Sequence, residues 1–151
     1  MQYLIRRATP GDAQAISKVV IATLRESNAR DYSPEVIAQV GQNFCPASIL
    51  KLMQQRQMYV AIHEQHVVGT ASLDQAVVRS VFVSPGHQGR GMGQQLMARL
   101  KEAAIAAQIE ELRVPSSLTA ESFYAQLGFT KVRDEIHGAE RTVIMALRLA
   151  G

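Results

Sequence analysis

The chain has 151 residues, 47% of them apolar and 19% charged, with four Phe, four Tyr and no Trp. That excludes disordered, collagen-like and fibrous classes and predicts one globular domain over 1–151, its core built from Leu, Ile, Val, Ala and Met. Sixteen Lys and Arg against 13 Asp and Glu give a net charge of +3, a mild, scattered excess that suits an anionic ligand and does not call for nucleic acid.

In chain order, the first residues hold no apolar run of secretory-leader length, and no stretch of about 18 uncharged apolar residues follows. Both point to a cytoplasmic protein without a membrane partner. Residues 3–8 read as a strand. Thr9, Pro10 and Asp12 then carry a helix-start pattern, with a capping residue, proline at the first helical position and capping-box spacing. Ile16, Val19, Val20, Thr23 and Leu24 follow at helical period. Ser33-Pro34-Glu35 opens a second helical stretch with Val36, Ile37 and Val40. Gly41 and Pro46 interrupt it, and Ile49, Leu50 and Met53 resume the period. Cys45, the one cysteine, excludes a disulfide framework and a multi-cysteine zinc site and reads as a small buried thiol.

Strand-like runs cover 58–63, 67–73 and 77–83, the first two joined by a polar turn at Glu64-Gln65-His66 that suits a hairpin. A long helix after residue 91 carries Met92, Leu96, Leu100, Ala103 and Ala107 on one stripe. A short strand over 111–114, a helix over 118–127, a strand from Phe129 and a last strand over 142–148 complete the chain. Gly128 falls where a helix C′ residue belongs, with Phe129 placed to fold back on the last turn. The order β-α-α-β-β-β-α-β-α-β-β mixes hairpins with one β-α-β crossover, which predicts an α/β protein of the α+β type with a mixed sheet. His63, His66, His87 and His137 show no metal-ligand spacing.

The informative stretch is 77–93, a strand, a glycine-rich loop and a helix start in succession. Glycines let a ligand approach the backbone, and free N–H groups at a helix start favour an anion, so a phosphate is the natural guest. Three patterns compete. A P-loop fails because Met92 and Gly93 follow Gly91 in place of Lys and Ser or Thr, which disfavours ATP. A dinucleotide fingerprint fails because Gly89, Gly91 and Gly93 lie several residues past the strand, with the third one place early. Glu111 lies at the distance of a ribose-binding acid but opens a strand instead of ending one. The third pattern, Q-x-x-G-x-G, is met by Gln88, Gly91 and Gly93. Three glycines at a helix start cost about 1 kcal/mol each relative to Ala if interior, more than a plain connection needs, so the loop reads as a binding element.

With that pattern the chain resembles the GCN5-related N-acetyltransferases (GNAT), whose acetyl-CoA pyrophosphate loop carries Q-x-x-G-x-G. The run Ala120-Glu121-Ser122-Phe123-Tyr124-Ala125-Gln126-Leu127-Gly128-Phe129 resembles the same family's A-x-x-F-Y-x-x-x-G-F segment, with Phe123 and Leu127 as its core positions. The order of elements matches as well, so the resemblance spans essentially the whole chain. It implies a mostly antiparallel sheet flanked by helices around a β-α-β acetyl-CoA-binding core. It also implies acetyl-CoA as co-substrate, no metal, and acetyl transfer to a primary amine by direct attack.

The resemblance also distributes roles. Backbone N–H groups of Gln88, Gly89, Arg90, Gly91, Met92 and Gly93, with Gln94, would hold the pyrophosphate, Arg90 adding charge. Val81, Phe82 and Val83 would splay from Leu112-Arg113-Val114 and pair with the pantetheine arm like an added strand. An N–H of Phe82 or Val83 would face the thioester carbonyl. Tyr124 stands at the position of the general acid, against the cofactor's sulfur, and Ser117 where many relatives place an Asn on the pantetheine amide. Many relatives carry an acid on the fourth strand, but Ala76-Val77-Val78-Arg79-Ser80 has no carboxylate. Asp74 is then a general-base candidate acting through water, with Glu140 and His137 also open. Arg79 stands in the acid's neighbourhood and, if aimed into the acceptor cleft, favours an acceptor with a carboxylate or phosphate. Tyr32, between the first helices, borders the acceptor site in relatives and is a substrate-contact candidate.

The acceptor stays open among small amines, favoured here, peptide N-termini, lysines and aminoacyl-tRNA, and homodimers are common among relatives. The alternative is a non-catalytic acyl-CoA-binding or sensing module, against which Tyr124 speaks.

Overall fold

The computed structural model describes residues 3–149. Its strands are β1 (Leu4–Arg7), β2 (Gln57–His63), β3 (His66–Asp74), β4 (Val77–Val83), β5 (Glu111–Ser116), β6 (Thr130–His137) and β7 (Glu140–Arg148). They form one sheet in the order β1-β2-β3-β4-β5-β7-β6. All neighbours are antiparallel except β4 and β5, so the sheet is mixed and mostly antiparallel, as expected. The helices are α1 (Ala13–Glu26), α2 (Pro34–Gly41), α3 (Pro46–Gln55), α4 (Met92–Ala106) and α5 (Glu121–Gln126).

Strand alternation divides the core into two layers. Met58 and Val60 of β2 pack with Ile16, Val20 and Leu24 of α1 and Ile49 of α3. Tyr59 and Ala61, one residue out of phase, join Leu73, Val78, Leu112 and Val114 against α4. On α4, Met92, Leu96 and Leu100 are buried as their spacing predicts, and Met97 and Ala104 complete the stripe. Ala107 lies past the helix end and is exposed. The helix sits so close to β3 that a Cβ added at Gly69 would overlap the Met92 sulfur.

Several boundaries differ from the sequence reading, each for a local reason. The second helical stretch is two helices, because Cys45 is extended and Pro46 restarts the helix at its first position. As the residue capping α3, Cys45 is exposed, its thiol 3.2 Å from the Ser48 hydroxyl, and is not the buried thiol expected. β5 runs on to Ser116 because β7 pairs with it through Ser116↔Val143. β7 starts at Glu140 because the hairpin closes at His137↔Glu140.

The start of α1 is held by Asp12. Its carboxylate accepts from Arg6 at 2.8 and 3.0 Å and from the Thr9 N–H at 2.8 Å. The Arg6 guanidinium, ahead of the Thr9 amide, holds this carboxyl below the usual range. The folded value lies below the unfolded one, so this stabilisation is complete above about pH 4 and is lost as acid titrates the folded carboxylate. Asp12→Asn is expected to cost about 1 kcal/mol at pH 7, the scale of a lost helix cap, with the difference shrinking in urea titrations as pH falls below about 4.

Candidate active site

Strands β4 and β5 are neighbours at one register pair only, Val77↔Arg113, where the Arg113 N–H donates to the Ala76 carbonyl at 3.0 Å. Beyond it they diverge into a wedge. The cause lies in β4. Phe82 opposes Thr70 and Arg79 opposes Ser72, so Ser80 and Val81 together face the single residue Ala71. Ser80 takes a left-handed φ of 57°, uncommon for a residue with a side chain, and this bulge bends β4 away. No sequence pattern announced it.

The bond from the Ser84 N–H to the Val68 carbonyl, 2.8 Å, sets the phase of β4. With Phe82 opposite Thr70, the Phe82 N–H turns to β3, while those of Val81 and Val83 face the wedge. The expectation for the Phe82 N–H is thereby corrected: the sheet already uses it. The Val83 carbonyl accepts from the Thr23 hydroxyl and from the Gln88 side-chain amide, both at 3.1 Å. Across the wedge, alternation turns the Pro115 backbone the same way as Arg113's, and proline has no N–H to leave unpaired there.

The glycine-rich loop closes one end of the wedge. Gly89 and Gly91 have φ of 76° and 82°, and Gly91 caps α4. The first intrahelical bond runs from the Gln95 N–H to the Gly91 carbonyl, so the N–H groups of Met92, Gly93 and Gln94 have no partner within the helix. Gly93 is needed for close packing, since a Cβ there would lie 3.0 Å from the Phe123 ring. The Gln88 side chain is structural, tying the loop to Ser27, just past the end of α1, at 2.9 Å as well as to Val83. Arg90 is exposed on the loop and is not part of the cleft lining.

The wedge opens into a cleft of about 1190 Å³ lined by Val81, Phe82, Val83, Gln88, Gly89, Gly91, Met92, Gly93, Gln94, Ser117 and Tyr124, along with Tyr32 and Arg79. Tyr124 is 4% exposed, its ring edge-on to Phe123 and Phe129. The end of α5 fixes it. The N–H groups of Gly128 and Phe129 reach back to the carbonyls of Ala125 and Tyr124, both at 3.1 Å, the bonding that a left-handed Gly128 permits. Burial pushes the Tyr124 hydroxyl well above the usual phenol range, so it keeps its proton at neutral pH. The Ser117 hydroxyl accepts from the Ala120 N–H at 3.2 Å and so shapes the turn before α5.

Other expected residues fall differently. The Tyr32 ring lines the cleft, but its hydroxyl accepts from the Leu118 N–H at 2.7 Å and donates to the Arg141 carbonyl at 2.8 Å. Thr119 adds a bond to Asp31 at 2.8 Å. Tyr32 thus straps the α1–α2 connection across β7 and the β5–α5 loop. Asp74 is held by Arg79 at 3.3 Å and does not line the cleft, whereas Glu140 and His137 do. Three charged cleft residues escaped the sequence reading. Arg133 and Glu135 form an ion pair at 2.7 Å, and Arg56, between α3 and β2, donates to the Ser80 hydroxyl at 3.1 Å. Among the described residues no helix is long and apolar enough to cross a membrane.

A family model described as "Acetyltransferase (GNAT) domain" matches residues 28–147. The chain is 28% identical over 134 residues to the uncharacterized N-acetyltransferase YafP of Escherichia coli, covering 87% of this chain and 83% of that one. A GCN5-related N-acetyltransferase from Rhodopseudomonas palustris superposes with a TM-score of 0.94 at 22% identity, over 99% of this chain and 97% of the other. The PaiA N-acetyltransferase of Thermoplasma acidophilum, solved in complex with coenzyme A, gives 0.87 at 18% identity, over 99% and 100%.

Proposed function

We propose that this chain, which belongs to the GNAT family of acetyltransferases, transfers the acetyl group of acetyl-CoA to the primary amine of a small molecule by direct attack. The observation that carries the reading is the wedge. Unpaired backbone on β4 meets the free amides of α4 at one end and a buried, protonated Tyr124 at its side. That arrangement fits an extended arm ending in a diphosphate, with the α4 amides and the Gly89 and Gly91 turns around the phosphates. The coenzyme A complex of the Thermoplasma acidophilum protein supports the same ligand class.

In this reading the neutral amine nitrogen attacks the thioester carbonyl carbon, forming the C–N bond as the C–S bond breaks. The Val81 or Val83 N–H donates to the carbonyl oxygen as charge develops on it. The nitrogen gives up its proton through water to Glu140, the carboxylate that lines the cleft without an ion-pair partner among the described residues. Asp74 is engaged by Arg79 and is the poorer base. The departing sulfur takes a proton from Tyr124, which is replenished from solvent. No acetyl-enzyme is needed, since Cys45 is not among the cleft residues.

The test is thiol release from acetyl-CoA across amino acids, polyamines, aminoglycosides and short peptides. Release should depend on the amine, with kcat/KM rising with pH as the amine loses its proton. Tyr124 should add no falling limb below about pH 10, because burial holds its hydroxyl protonated. Acetyl-CoA binding with no release from any amine sinks the reading.

A further inference from the structure

On the far side of the bulge from the glycine loop, Arg56 and Arg79 both line the cleft. Arg79 is compensated, its Nε donating to the Asp74 carboxylate at 3.3 Å. Arg56 is not. It is half-buried, its Nη1 donates to the Ser80 hydroxyl at 3.1 Å, and no carboxylate of the described residues lies within 4 Å of it. The other cleft guanidinium groups are paired, Arg113 with Glu111 at 3.0 Å and Arg133 with Glu135 at 2.7 Å. Burial, then repulsion from Arg79, push the Arg56 guanidinium below its ordinary value, and Asp74 opposes this only in part.

Two guanidinium groups therefore stand at the wall of a cleft with one carboxylate near them, Asp74, which is bonded to Arg79 alone. Keeping like charges together in partly buried positions is unfavourable unless an anion joins them. A guanidinium presents five donors in a planar fork that matches two anionic oxygens, and Ser80 takes only one. Ser80 is also the bulge residue, so the bond that orients Arg56 is tied to the feature that opens the wedge.

We propose that Arg56, with Arg79 beside it, is the specificity determinant for the acceptor and binds a carboxylate or phosphate group carried by the amine substrate. This rests on acetyl transfer in the same cleft. It makes the acceptor an amine that also bears an anion, such as an amino acid or an aminoalkyl phosphate, and disfavours polyamines.

Two measurements separate this proposal from the reading beneath it. In the protein saturated with CoA, the Arg56 Nε–H resonance, assigned by its loss in Arg56→Gln, is titrated with acetate and with inorganic phosphate. A saturable shift is expected, and the stronger of the two anions names the group. A response to neither overturns the proposal, whether or not any amine is acetylated. In parallel, amino acids and aminoethyl phosphate are compared as acceptors with their uncharged amide and ester counterparts. Anionic acceptors should have kcat/KM at least about tenfold higher, and Arg56→Gln should raise their KM about 10- to 100-fold with little change in kcat. Arg56→Lys should recover part of the loss, and a Tm near the wild-type value in Arg56→Gln shows that the fold is kept. Equal use of charged and uncharged amines by the wild-type protein overturns the inference while acetyl transfer stands. Absence of any release sinks acetyl transfer alone, and the titration then decides the anion site.

Discussion

Tyr124→Phe is expected to lower kcat by about 10²- to 10⁴-fold, the usual contribution of a positioned general acid, while KM for acetyl-CoA and Tm stay near their wild-type values. The substitution removes one oxygen and keeps the ring that packs edge-on against Phe123 and Phe129. The α5 ending is held by backbone bonds to the Ala125 and Tyr124 carbonyls, which Phe provides equally. The comparison therefore isolates the hydroxyl. Burial makes that hydroxyl a reluctant acid in the free protein. The proton moves readily only as negative charge builds on sulfur in the same dry pocket, so its contribution belongs in kcat and not in binding. Steady-state thiol release with the best acceptor checks this. An unchanged kcat means that water protonates the leaving thiolate and removes Tyr124 from the chemistry. A non-catalytic acyl-CoA binder shows no turnover to lose in either protein.

The parts of the site legible in the sequence are those written in consecutive residues. Gln88, Gly91 and Gly93 announced the loop because left-handed turns, close packing and a helix start all demand specific residues within one short segment. Gly128 announced the end of α5 and hence the setting of Tyr124 for the same reason. What stayed hidden depends on register across the sheet. The bulge at Ser80 moves Phe82 out of phase with the upstream half of β4, so the amide assignment could not be read from the strand alone. Asp74 looked close to the chemistry because it is close in sequence, yet its carboxylate is held by Arg79 and is absent from the cleft lining. Arg56 reaches the cleft across 24 residues of separation, and Tyr32 spends its hydroxyl on backbone 86 and 109 residues away. Those placements are tertiary, and no local pattern encodes them.

Gly91→Val is expected to raise KM for acetyl-CoA by about tenfold or more, whereas Gly91→Asn should stay within a few-fold of wild type. The contrast follows from the backbone. Gly91 sits at φ 82° as the cap of α4, and a Cβ there would meet nothing within 4 Å, so crowding inside the protein is not the penalty. The penalty is conformational: a left-handed residue with a side chain costs about 1–2 kcal/mol, least for Asn and most for β-branched residues such as Val. A chain carrying Val escapes by rotating the loop, which swings the Met92, Gly93 and Gln94 amides away from a common point. Fold stability depends little on this, because Met92, Leu96 and Leu100 still anchor the helix. The loss should appear in calorimetric affinity for CoA as well as in KM, with kcat recovering at saturating acetyl-CoA. Equal losses for Val and Asn would mean that any side chain at this position obstructs the ligand, shifting the explanation from backbone hand to steric exclusion. A folded Gly91→Val protein with undiminished affinity for CoA would show that the phosphates are held elsewhere than at the start of α4.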